Sequence, residues 1–247
     1  MRIEFYPTAQ SVTKLNGKIA IIIDVLRATS TITTALNNGA KMVIPAISVE
    51  EAFYTAKKLK GDVVLGGERN MVKIPGFNFG NSPLEYKKEF IAGKTVILTT
   101  SNGTKAIKAS QSAEHILIGC FLNASAVAKK VVEIVFTTKI YFISFVCAGT
   151  LGEFSLDDGV CAGCIIDGII REMENHNYPV ELSDLAFVCR ELYSSNKNNL
   201  KNLISHAGHY KKLLELGFEE DLFYCLKKDI LSCVPLYDKK NCVLSKV

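Results

Sequence analysis

No apolar run in this chain is long enough to cross a bilayer. The longest, residues 19–23 and 140–147, fall far short of the roughly 20 residues that a membrane helix needs, and they suit buried strands. Nor does a leader-like apolar stretch follow the first basic residue. Met1-Arg2-Ile3-Glu4-Phe5 leads straight into Tyr6-Pro7, so a cytoplasmic protein without a secretory signal is expected. Positive charge is not concentrated anywhere. The net charge of +4 comes from lysines spread along the chain, which argues against a nucleic-acid surface but leaves room for a local anion site. The eight cysteines lack the regular spacing of a disulfide framework. A chain of 247 residues, 48% of them hydrophobic, has enough core not to need one, and reduced thiols are expected.

Several catalytic signatures are also missing. The chain has no Gly-x-x-x-x-Gly-Lys-Ser/Thr loop, so ATP binding of the P-loop kind is not supported. It has no Gly-x-Ser-x-Gly elbow and no Cys-x5-Arg loop of cysteine-dependent phosphatases. Cys161-Ala162-Gly163-Cys164 has metal-pair spacing but no matching second pair, and it reads as core packing. His206 and His209 lie one helical turn apart and make an incomplete zinc site; a substrate contact or plain surface fits them better.

What is present is alternation. Strand-length apolar runs at 19–25, 42–45, 63–65, 95–99, 115–118 and 140–145 are separated by helix-period segments at 29–37, 49–60, 83–91, 104–111 and 124–136. The strands are rich in Val and Ile without alternating polarity, which indicates burial on both faces. This predicts a three-layer α/β/α sandwich with a largely parallel or mixed sheet. From about residue 153 the pattern is helix-rich, with segments at 156–175, 182–194, 203–217 and 219–226, then short strands at 234–237 and 242–244. No linker rich in Pro, Gly or Ser divides the chain, so one α/β domain over 1–247 is expected. Residues 1–6 fit an edge strand. A weak internal echo relates the strand ending at Asp24 and its helix to the strand ending at Thr99 and its helix; such a pair can face one another across a site.

Polar loops follow the predicted strands. In Asp24-Val25-Leu26-Arg27-Ala28-Thr29-Ser30 the carboxylate sits where α/β proteins bind ligands, Arg27 can fork onto an anion, and Thr29 and Ser30 open a helix. A plain N-cap with an Asp24–Arg27 pair is the alternative. Gly66-Gly67-Glu68-Arg69 brings opposite charges to the same rim. Asn81-Ser82-Pro83 caps a helix after a long aromatic, glycine-bearing loop. Ser101-Asn102-Gly103-Thr104 offers hydroxyls and backbone N–H groups for phosphate or sulfonate. Cys147 ends a strand, and Asp157-Asp158 at the next helix start can hold Mg²⁺ or merely complement the helix dipole.

In this order the loops resemble the 2-phosphosulfolactate phosphatases. The resembling residues are Ile23-Asp24-Val25-Leu26-Arg27-Ala28-Thr29, Gly66-Gly67-Glu68-Arg69, Gly76-Phe77, Gly80-Asn81-Ser82-Pro83-Leu84-Glu85-Tyr86, Asn102-Gly103-Thr104 and Asn123-Ala124-Ser125. The likeness continues through Cys147-Ala148-Gly149 and Asp158 to Cys161-Ala162-Gly163, then Gly217-Phe218 with Asp221, and Val234-Pro235. It implies Mg²⁺-dependent hydrolysis of (2R)-2-phospho-3-sulfolactate to sulfolactate and phosphate, a reaction of coenzyme M synthesis in some organisms. The chain departs from the pattern at Asn78, where Asp is expected, and mildly at Ser101 and Asp157, where Thr and Glu are usual. The expected metal ligands are Asp24, Glu68 and Asp158, and the expected catalytic groups are Asp24, Arg27 and Cys147. Thr29, Ser30, Arg69, Asn81, Ser101, Asn102, Gly103 and Thr104 are the expected substrate contacts. The expected partner is a small substrate carrying phosphate and sulfonate, with no nucleic acid and no membrane, and a homodimer is a further expectation. A phosphatase for another phosphorylated hydroxy acid, or a non-catalytic anion-binding module, is the alternative.

Overall fold

A computed structural model describes residues 1–246. In chain order its elements are β1 (Arg2–Tyr6), β2 (Ile19–Ile23), α1 (Ala28–Asn37), β3 (Met42–Pro45), α2 (Val49–Lys58), β4 (Val63–Arg69), β5 (Val72–Lys73), α3 (Lys88–Ile91) and β6 (Thr95–Thr99). Then come α4 (Gly103–Ala109), β7 (His115–Gly119), α5 (Ala124–Thr138), β8 (Phe142–Cys147), α6 (Leu156–Glu174), β9 (Glu181–Leu182) and α7 (Asp184–Asn196). The chain closes with α8 (Leu200–Ile204), α9 (Gly208–Glu215), α10 (Glu219–Cys225), β10 (Pro235–Asp238) and β11 (Val243–Lys246).

The expected three layers are present, and β2 shows why. All five of its residues are buried, and their alternation sends them to opposite faces of the sheet. Ile19, Ile21 and Ile23 pack with Val127, Val131 and Ile165 of α5 and α6. Ala20 and Ile22 pack with Ile32, Leu36 and Ile107 of α1 and α4. A strand that must be apolar on both sides reads as a continuous apolar run, which is how it stands in the sequence. Gly39 and Gly93, each just past the last residue of a helix (α1 and α3), have positive φ, the conformation such a C-terminal cap needs and glycine adopts without strain.

The sheet is mixed, in the order β5-β4-β6-β3-β11-β10-β7-β2-β8-β1-β9. It consists of two parallel runs, β4-β6-β3 and β7-β2-β8-β1-β9. The C-terminal hairpin β10–β11 sits between them and pairs antiparallel with β7 and with β3. Following directions across it, the two runs point opposite ways. In a flat sheet their C-terminal ends would lie on opposite edges. The hairpin meets each run through one residue pair, Leu236 with Leu117 and Leu244 with Val43. The echo noted in the sequence corresponds to β2-α1-β3, which crosses from one run to the other, and β6-α4-β7, which crosses back.

Three expectations differ in detail. Residues 1–6 do not form an edge strand: β1 lies between β8 and β9, which pairs with Arg2 and Ile3. The segment at 83–91 is not one helix but a short 3-10 turn, Pro83–Glu85, followed by α3. The helix expected at 203–217 is broken into α8 and α9, with α9 starting at Gly208, a residue that lowers helix propensity where it stands.

Candidate active site

The C-terminal ends of β2, β4, β6 and β8 surround a cavity of about 570 Å³. Asp24 lies at its floor. Its N–H donates to the Thr29 hydroxyl at 3.2 Å, its Oδ1 accepts from the Ala28 N–H at 3.2 Å, and its main-chain carbonyl accepts from the Thr29 N–H at 2.9 Å. The start of α1 therefore folds back on Asp24 and fixes its carboxylate. Burial raises the Asp24 carboxyl to about 7; the Ala28 hydrogen bond and Arg27 oppose the rise, while Glu68 and Asp157 add to it. Gly103 backs the same carboxylate from the other run. A Cβ at Gly103 would stand 2.7 Å from Asp24 Oδ2 and 2.6 Å from the Ala28 Cβ.

Glu68, at the end of β4, ties two loops together. Its Oε1 accepts from the Ser101 N–H at 2.7 Å, and its Oε2 accepts from the Met71 N–H at 2.7 Å and the Ser101 hydroxyl at 3.2 Å. Arg27 is held just as firmly. Its Nη1 donates to Asp221 Oδ2 at 2.5 Å, its Nη2 donates to the Met71 carbonyl at 3.0 Å, and the guanidinium lies 4.1 Å from the centre of the Phe218 ring. Asp221 in turn accepts from the Ser82 hydroxyl at 2.6 Å. The peptide between Leu26 and Arg27 is cis.

The facing wall comes from the β8–α6 loop and from α9. Thr150, Phe154, Ser155, His206, His209 and Lys212 line it. Ser155 donates to Asp157 Oδ1 at 2.5 Å, and Asp157 Oδ2 lies 4.0 Å from His209 Nδ1. Burial pulls the His209 imidazole below its ordinary value, with Asp157 opposing and Arg27 reinforcing that shift.

Four helices start on the cavity. Ala28, Gly103, Leu156 and Gly208 are their first residues, and none of the four N-cap side chains, Arg27, Asn102, Ser155 and Ala207, makes a capping hydrogen bond. First-turn N–H groups have no partner within their own helix, and the dipole places partial positive charge there. With Arg27 and Lys212 beside them, these ends make a cavity suited to a substrate with more than one anionic group.

Of the expected site residues, Asp24, Arg27, Glu68, Asn81, Ser101 and Asn102 line the cavity together. The others stand behind it. Thr29 holds the Asp24 backbone, Ser30 donates to the Val25 carbonyl at 2.8 Å, and Thr104 donates to the Thr100 carbonyl at 3.0 Å. Arg69 points away, donating to the carbonyls of Glu68 and Ile47 and to the Thr99 hydroxyl. Cys147 is wholly buried, and burial with nearby carboxylates, Asp158 foremost, holds its thiol well above the usual range. It remains an SH group, not the thiolate a nucleophile needs. Asp158 uses both oxygens on backbone, accepting from Val25 at 2.9 Å and Gly149 at 3.2 Å; it pins the ends of β2 and β8 together. His209, read in the sequence as a substrate contact or plain surface, lines the cavity; Lys212 and Asp221 were not expected there, because the elements carrying them reach the site only through the tertiary fold.

Mg²⁺, implied by the resemblance, fits the donors on the floor. Among the described residues no three His, Cys, Asp or Glu side chains form a ready-made cage. Mg²⁺ seldom requires one, since it takes one or two carboxylates and completes its shell with water and phosphate oxygen. The Asp24 side chain is hydrogen-bonded through Oδ1, and the buried amide oxygen of Asn81 has no partner among the described residues. A buried acceptor without a donor is the kind of atom a cation satisfies.

Comparison with known proteins supplies the family. The family model described as 2-phosphosulpholactate phosphatase matches residues 5–240. A probable 2-phosphosulfolactate phosphatase of Clostridium acetobutylicum is 47% identical over 224 residues, 91% of each chain. Proteins of the same description from Clostridium tetani, 48% identical over 91% of each chain, and Clostridium novyi, 46% identical over 90% of each, match similarly. The chain belongs to the 2-phosphosulfolactate phosphatase family.

Proposed function

We propose that the protein is a Mg²⁺-dependent phosphatase that hydrolyses (2R)-2-phospho-3-sulfolactate to 3-sulfolactate and phosphate. The observation that carries this reading is the single cavity in which Arg27 and the starts of four helices surround the Asp24 carboxylate. Pure anion capture gains nothing from a carboxylate at the floor, whereas phosphoryl transfer needs a group there to hold a metal or meet phosphorus. Asp24 and Asn81 would hold Mg²⁺, with Glu68 behind them ordering the Met71 and Ser101 loops. The ion would neutralise charge on the phosphate oxygens. Arg27, clamped by Asp221, presents its guanidinium with little freedom left to lose, and such preorganised charge is worth most in a water-excluded site. The two loops of the echo, at Asp24 and at Ser101-Asn102, meet at the floor and would form the phosphate side. The α6 and α9 starts and Lys212 supply positive charge on the facing side for the sulfonate.

Phosphate release from synthetic phosphosulfolactate tests the reading. Activity is expected in the protein as purified with Mg²⁺, loss after treatment with EDTA, and recovery on readdition of Mg²⁺. Full activity after exhaustive chelation would remove the metal from the mechanism. Release from other phosphoesters but not this one would move the substrate within the class. Binding of sulfolactate or phosphate with no release from any ester would leave an anion-binding module.

Gly103→Ala tests the floor. The added methyl would displace Asp24 Oδ2 or the start of α1. Overpacking of this kind costs about 1–3 kcal/mol of stability, and ångström-scale misplacement of a reacting group costs on the order of 100-fold in rate. The variant is expected to fold with a lowered Tm and to lose most of its kcat; wild-type kcat would show that the floor tolerates the shift.

A further inference from the structure

Asp157 poses a question that phosphate and metal binding leave unanswered. It is 1% exposed, its Oδ1 is fixed by the Ser155 hydroxyl at 2.5 Å, and its Oδ2 has no hydrogen-bond partner. A buried acceptor is costly to leave unpaired. The polar side chain facing it is His209, whose Nδ1 lies 4.0 Å away and 3.3 Å from the Thr150 hydroxyl. His209 lines the cavity from the first turn of α9. A carboxylate at Nδ1 opposes the effect of burial and favours the imidazolium, whose Nε2–H is then the proton left to act on a substrate. Catalytic hydrogen bonds are often long in a ligand-free site and tighten when substrate binds.

We infer that His209 is the general acid that protonates the departing oxygen of the substrate, and that Asp157 is its positioning residue. The inference rests on the phosphatase reading above. In phosphosulfolactate the leaving group is an aliphatic alkoxide, a poor one unless protonated as it departs. The ester P–O bond breaks, its electron pair stays on the substrate oxygen, and that oxygen takes the proton from His209 Nε2. A water oxygen takes its place on phosphorus, and a proton released from that water restores the imidazolium. The sum is ester plus water giving alcohol plus phosphate. Thr150 and Ser155, both hydroxyls on the β8–α6 loop, keep the two partners in register.

The test compares leaving groups. Wild type, His209→Asn and Asp157→Asn are assayed with Mg²⁺ on phosphosulfolactate and on an aryl phosphate such as p-nitrophenyl phosphate, whose leaving group departs without a proton. Loss of a general acid is expected to lower kcat by roughly 100-fold or more on the alkyl ester and at least tenfold less on the aryl ester. Asp157→Asn should show the same asymmetry at smaller size, with Tm near wild type because the substitution keeps the side chain's shape and the oxygen that accepts from Ser155. Equal losses on both esters would overturn the inference and make His209 a binding residue. So would wild-type kcat on the alkyl ester in His209→Asn. If wild type releases phosphate from another alkyl phosphate but not from phosphosulfolactate, the substrate assignment fails, and the same comparison on that ester still decides the role of His209.

Discussion

Asp24→Asn is expected to abolish phosphate release while making the substrate-free protein more stable. The loss follows from position. Asp24 is a carboxylate on the cavity floor, hydrogen-bonded through Oδ1, so it is the group available to hold the metal or meet phosphorus. The substitution keeps the oxygen that accepts from Ala28 and removes only the charge. A fall in kcat of about 1,000-fold or more is expected, the scale seen when a preorganised charge is removed from a reacting centre. The gain follows from burial. The Asp24 carboxyl is raised from 3.8 to about 7, chiefly by desolvation. A carboxyl with a raised folded-state pKa holds its proton in the folded protein after the unfolded chain has released it. Its stabilising share is therefore complete below about 3.8 and is lost as pH rises through about 7. At pH 8, without metal, wild type carries the whole penalty, on the order of a few kcal/mol, and Asn carries none. Thermal denaturation of the metal-free proteins should place the variant several degrees higher at pH 8, with the two curves converging as pH falls to about 3.8. A variant that is both inactive and less stable at pH 8 would mean that Asp24 holds the fold together. Activity near wild type would remove it from the mechanism. Stability sacrificed at a charged centre is what a site evolved for catalysis should show.

The sequence made the floor of this site legible and left its far wall hidden, for a physical reason. Asp24, Glu68 and Ser101-Asn102 each follow a strand whose apolar run is visible because it is buried on both faces, and a polar residue at such a boundary stands out. His209 and Lys212 follow no strand. They sit on a surface helix, α9, that joins the cavity only because α8 ends at Ile204 and the chain restarts its helix at Gly208. The Ser205-His206-Ala207-Gly208 interruption was the available signal, and helical periodicity read across it masked the break.

The same limit explains the middle of the sheet. Short apolar stretches at 234–237 and 242–244 read as strands, yet nothing local says that they enter the sheet centre and reverse its direction. The ends of β4 and β6 nonetheless meet the end of β2 at one cavity, with Gly103 against Asp24. The residues found behind the cavity follow suit. Thr29, Ser30, Thr104 and Asp158 are polar at strand and helix ends like true ligands, but their oxygens and hydroxyls are occupied by backbone. Local pattern marks where polar groups gather, and only packing decides which of them face the substrate.

Asp221→Ala carries the largest expected stability effect, and it separates what holds Arg27 from what Arg27 does. Arg27 and Asp221 are nearly solvent-free, with side-chain exposures of 2% and 4%, and are joined at 2.5 Å. Removing one partner of a buried pair strands the other charge, at about 3–5 kcal/mol. The Ser82 hydroxyl loses its acceptor as well. A fall in Tm on the order of 10 °C is expected for a chain of this size, together with loss of activity. Arg27→Met should destabilise in the same sense, because it leaves Asp221 buried without its cation. The double variant Arg27→Met with Asp221→Leu removes both charges and fills their space with apolar atoms, which for buried pairs is often neutral or stabilising. It should recover most of the lost Tm and none of the activity. Recovery of both would assign Arg27 to the fold alone. Recovery of neither would mean that the Met71 carbonyl and the Phe218 ring, which Arg27 also engages, contribute more to the clamp than the ion pair does. Stability regained without catalysis identifies a charge kept at this position for the anion it meets, and α10 as the element that aims it.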